Sequence, residues 1–150
     1  MTPVEAALDE LRLALIEFVS LLEQESQALT NSQTDELSAV VAEKTRWSSS
    51  AHMAWNRLVI ASGIDTRKGE TLDAALSANA GLHTKWHEVR LLAETAERIN
   101  HSNNTLIEAQ LQRTRQALDV LQSAANRGTL YGSNGRIVDG FQSGHTLDKA

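Results

Sequence analysis

The chain has 150 residues, a net charge of −5, one proline, no cysteine, 41% apolar residues and only 4% aromatics. Its weighting toward Ala, Leu, Glu, Gln and Arg, which lose little entropy in a helix, predicts an all-α protein and argues against a β-rich or disordered one. The absence of cysteine removes disulfides and thiolate metal sites, and the acidic balance disfavours nucleic acid, whose binding needs Lys and Arg to release counterions.

The first helix is announced by its opening residues. Thr2 suits the N-cap, Pro3 the first helical position, and Glu5 completes a Thr-x-x-Glu capping box. Leu8, Leu11, Leu15, Phe18, Leu22 and Leu29 then recur at heptad spacing, with one gap in the seam at Glu25. No basic, apolar leader precedes this helix. Its most apolar window, Leu13 to Leu22, is interrupted by Glu17 and Ser20 and falls well short of the ~18 residues of a membrane span. A cytoplasmic protein with no membrane span is expected.

The polar run Thr30-Asn31-Ser32-Gln33 ends the first helix. A second helix should start near Ser32 or Thr34 and stop at Gly63, with Leu37, Val40, Val41, Lys44, Trp47, Ala51, Trp55 and Leu58 at helical spacing. So short a loop makes the pair an antiparallel hairpin. Trp47, Trp55 and Trp86 all fall on these apolar stripes and are read as core anchors.

After a polar connection, Gly63 to Gly69, a third helical pattern begins near Thr71 and continues through Leu82, Trp86, Val89, Ile99 and Leu111 to Leu121. Gly81 is a mild weakness within it. The cluster Asn100-His101-Ser102-Asn103-Asn104 contains neither Pro nor Gly, so one continuous helix is preferred there to a bend that would create a fourth. Such a helix outruns the hairpin, and the stripe from Leu106 to Leu121 is then uncovered, dimerised or available to a partner. Five of the eight glycines lie beyond Asn126, where backbone entropy disfavours helix. The expected fold is thus a coiled-coil-like three-helix bundle, a hairpin on a long third helix, over residues 1–126, followed by a flexible Gly-rich tail at 127–150.

Catalytic and metal motifs fail on spacing. His83 and His87 stand at i, i+4, yet neither His-Glu-x-x-His nor its reverse is present, and they are read as surface histidines flanking a core tryptophan. Glu97 and His101 miss the Glu-x-x-His spacing of di-iron bundles, and His52 lacks the Lys-Gly that follows a phosphotransfer histidine. No nucleophile triad or phosphate loop is present, so no enzyme activity and no cofactor are expected.

An ordered set of short segments carries a family likeness. Leu21-Leu22-Glu23-Gln24-Glu25 is followed by an Asp-x-Leu helix start at Asp35 and by Lys44. Trp86 comes next, then Ile-Asn-x-x-Asn-x-x-Leu-Ile from Ile99 to Ile107, and Tyr131-Gly132-x-x-Gly135-Arg136 after the last helix. Together these resemble the FlgN family of flagellar type III export chaperones over nearly the whole chain. Asn104-Thr105 departs from the Asn-Gly common in that family and favours helix continuity. The resemblance implies a chaperone that binds hook–filament junction proteins, keeps them unassembled and delivers them to the flagellar export gate, without consuming nucleotide. It also implies client binding in the C-terminal part, where Leu106, Ile107, Leu111, Leu118 and Leu121 are the candidates, and gate contact by the tail, at Tyr131, Gly132 and Gly135. A self-associating coiled-coil adaptor, dimerising through the same stripe, is the alternative.

Overall fold

The computed structural model describes residues 1–130, which form four α-helices and a single 3₁₀ turn, with no strand among them. They divide into two compact units, residues 1–106 and the residues from Ile107 onward.

Helix α1 (Pro3–Thr30) begins as its sequence dictates. The Thr2 hydroxyl accepts the Glu5 N–H at 3.1 Å, and the Glu5 carboxylate accepts the Thr2 N–H at 2.9 Å. The chain turns at Asn31–Gln33, where Ser32 takes a left-handed conformation (φ +55°). Helix α2 (Thr34–Ser62) ends at Gly63, whose φ of +69° is open to glycine at no steric cost. Pairing of Glu10 with Arg57 and of Glu25 with Lys44 shows that α2 runs antiparallel to α1.

The third predicted helix is two helices. Thr71 caps a short α3 (Leu72–Ser77), accepting the Ala74 N–H at 3.1 Å. The chain then breaks before α4 (His83–Leu130). The fourth helix therefore arises at 78–82, not at 100–104, where α4 is uninterrupted. Two local forces make the break. The Asn79 side chain accepts the Gly81 N–H at 2.9 Å, an Asx turn that competes with helical bonding. Leu72 and Leu76 on one side, and Leu82 and Trp86 on the other, all enter the same core. At its far end α4 continues through 127–130, which composition assigns to the tail; a lone Gly128 costs about 1 kcal/mol in a helix and does not stop it.

Pairs Asp9–Lys85 and Arg12–Glu88 show α4 running parallel to α1. The core joins Leu8, Leu11 and Leu15 of α1, Ala54 and Leu58 of α2, Leu72 and Leu76 of α3, Leu82 just before α4, and Trp86 and Val89 in its first turns. Truncating a buried leucine such as Leu8 or Leu58 to alanine typically costs 2–5 kcal/mol. Of the tryptophans, only Trp86 is a core anchor: Trp47 is half-buried and Trp55 is 42% exposed. Trp55 lies on the predicted stripe, but it falls between the positions, Ala54 and Leu58, that α2 turns into the bundle.

Candidate functional site

Two features stand out above the packed core, one in each unit. In the first unit, Glu25, the gap in the α1 heptad seam, is 2% exposed and holds three helices together. Lys44 of α2 donates to both carboxylate oxygens, at 3.2 and 3.3 Å, and to Asn100 Oδ1 at 2.9 Å. From α4, Asn103 Nδ2 donates to Glu25 Oε1 at 2.8 Å and to the Leu22 carbonyl at 2.9 Å. That arrangement fixes the amide, since the flipped rotamer would set Oδ1 against two acceptors. Asn103 is fully buried and its Oδ1 accepts no hydrogen bond from the described residues.

The two asparagines of Ile-Asn-x-x-Asn and Lys44 are thus brought together around a carboxylate. Asn103 takes a seam position on α4 as Glu25 does on α1. A sliding of either helix would bury a charge with no partner, so these polar residues set register more than they add stability. The residues were visible in the sequence, but not their convergence: Glu25 reads only as an interruption until helices α2 and α4 are set beside it.

In the second unit, Ile107, Leu111, Leu118 and Leu121 fall within about 80° of one another at 3.6 residues per turn and form one stripe with Thr114 and Ala125. Leu111, Leu118 and Leu121 are 50%, 54% and 64% exposed, and every residue from 111 to 125 is exposed. Leu106 and Ile107 are half-buried. Leu106 belongs to the first unit and is about 100° around the helix from Ile107, so it is set off from the other four. Tyr131, Gly132 and Gly135 lie outside the described residues.

The stripe is chemically plain. Glutamines and the charged Arg113, Arg115, Glu108 and Asp119 flank it. His83 and His87 are exposed, with parallel rings whose centroids are 6.5 Å apart, flanking the buried Trp86. No three His, Asp or Glu among the described residues converge as a metal site would require. None of the described helices is long and apolar enough to cross a membrane.

At the other end of the first unit, Asp73 joins α3 to α4. It accepts the Trp86 indole N–H and an Arg90 N–H, each at 2.9 Å. The indole bond, reinforced by the Arg90 charge, holds the Asp73 carboxyl below the usual carboxylate range.

The family model described as "FlgN protein" matches residues 1–138. The flagella synthesis protein FlgN of Salmonella typhimurium is 25% identical over 98% of this chain and 99% of its own length, and that of Escherichia coli K12 is 24% identical over the same shares. No solved structure matches the chain. A family model that spans nearly the whole bundle, with relatives of the same length, settles the kinship: the chain belongs to the FlgN family.

Proposed function

We propose that this protein is a cytoplasmic flagellar export chaperone that binds hook–filament junction proteins, holds them unassembled and hands them to the export gate. Family membership supports the flagellar role. The observation that carries the client-binding part is the exposed stripe at Ile107, Leu111, Leu118 and Leu121. An amphipathic client segment laid along it would bury leucines on both sides, as in helix-in-groove recognition, and would mask the surface through which the client self-associates. Leu106, set off from these four around the helix, is the remaining candidate client contact. Tyr131, with Gly132 and Gly135, is the candidate contact for the gate, because an amphipathic aromatic suits a surface that is apolar at one edge and wet at the other.

The test is co-elution of the full chain with C-terminal segments of hook–filament junction proteins, beside the variant Leu111→Ser/Leu118→Ser. Both positions are at least half exposed, so the variant should keep its helical spectrum and melting temperature. Capture by the parent and loss in the variant is the expected result. Equal capture by both would move the client site elsewhere in the chain. A tight dimer of the parent, dissociated by the same substitutions and blind to every junction protein, would replace the chaperone with a self-associating adaptor.

A further inference from the structure

The first unit holds a second binding feature, made of residues that the client stripe does not use. Trp55 of α2 and Trp86 of α4 have ring centroids 6.4 Å apart and inclined at 31°. With Val59, Ile64 and Leu72 they line a cavity of about 540 Å³. That volume falls within the range of specific ligand pockets and would accept a large side chain and its neighbours. Its walls are braced by their own hydrogen bonds: Asp73 fixes the Trp86 indole, Thr71 caps α3, and Glu70 accepts the Asp65 N–H at 2.6 Å, which ties down the loop. Trp55 keeps 42% of its surface in water although a well-packed core lies beside it.

The charges at this cavity are one-sided. Its lining contains two carboxylates, Glu70 and Asp73, and no cationic side chain. Asp73 is neutralised by Arg90 from outside the lining. Glu70 has no cationic partner among the described residues. It also sits in a unit where fifteen acids face nine bases, although the chain as a whole is only at −5.

We infer that this cavity is a docking site for a basic amphipathic segment of a second partner protein. The segment would insert one large apolar side chain into the cavity beside the paired tryptophans. It would then lay a Lys or Arg stem across the exposed face of Trp55, with the cationic head toward Glu70. An aromatic wall beside a lone carboxylate selects such a pair: the ring attracts the cation, the stem covers the ring, and the carboxylate rejects acidic neighbours. The occupant is distinct from the client, whose binding rests on uncharged leucines, so the chain would hold two partners through separate residues.

The experiment uses the full-length protein with its indole nitrogens labelled. The probes are a short helical peptide of Leu, Ala and Lys and its twin with Glu in place of every Lys. The Lys peptide should shift the indole N–H signals of Trp55 and Trp86 and leave that of Trp47. Trp55→Ala and Glu70→Lys, both exposed changes, should each weaken it about tenfold, and the Glu twin should not bind. Leu111→Ser/Leu118→Ser should leave these shifts intact, which separates this site from the client stripe. Equal binding of the two peptides, full affinity in both cavity variants, or indole shifts caused by protein concentration alone would overturn the assignment. The last outcome would make the cavity a contact between copies of this chain.

Discussion

Lys44 is the residue whose replacement should be most informative, because among the described residues it is the sole cation on the buried Glu25 carboxylate. Lys44→Met leaves that carboxylate with only the Asn103 amide, and stranding a buried charge typically costs 3–5 kcal/mol. Glu25→Leu combined with Lys44→Met removes the orphaned charge and should cost clearly less than the single change, a sign of coupling that urea melts of the four-member cycle would read directly. Additive losses would mean that the pair is not an energetic unit. At the same scale, Glu5, Asp73 and Glu88 have carboxyl groups held below their ordinary values, by the Thr2 N–H, the Trp86 indole and the Arg12 guanidinium respectively. A depressed folded-state value means stability that is present above the unfolded value, about 4, and lost as pH falls through the folded one. The urea midpoint should therefore be flat from about pH 7 to 5 and decline below about pH 4. A midpoint that rose on acidification would contradict the pairing.

Among the elements, α4 contains two kinds of helix in one unbroken run. Up to Asn103 it presents Trp86, Val89 and Ala96 to a core; from 111 to 125 every side chain is exposed. Isolated helices of this length are marginal in water, so the second stretch depends on what covers it. Amide hydrogen exchange should show the 111–125 amides opening far more readily than those of Leu8 to Leu22, and a bound client should slow them selectively. Uniform protection along α4 in the free protein would argue that the stripe is already occupied by a second copy. Which parts of this were legible in the sequence follows from how local each signal is. The capping box at Thr2, the Gly63 stop and the α1 seam depend on neighbours within a turn or two. The α3–α4 break depends on four apolar side chains meeting in one core, and the depth of Trp55 on which way α2 is rotated. Neither is written in any short window.

For the whole molecule, the polarity of charge and of apolar surface separates two kinds of contact. The first unit holds the acidic excess and a concave aromatic pocket; the second holds an exposed leucine stripe with little net charge. Binding through the stripe should be nearly indifferent to salt, whereas docking at the Trp55 cavity should weaken as ionic strength rises and the Debye length falls below about 8 Å. Titrations of each contact at low and high salt check this. The exposed stripe was foreseeable because the last helical pattern is far longer than α1 or α2, 48 residues against 28 and 29. The pocket was not, since it is built from the ends of three helices and a loop.

The pairing of α1 with the first part of α4 carries a consequence for how chains of this kind can diverge. Asp9 meets Lys85 at a sequence separation of 76, and Glu25 meets Asn103 at 78, so the two helices keep step over several turns. They act as a matched ruler. A residue gained or lost in one between those marks must be answered by the same change in the other, or the buried carboxylate loses its amide. Length is therefore under joint constraint before Asn103. After it the helix is free to grow or shrink, and divergence between relatives should collect there as insertions and deletions while the marked interval keeps its count.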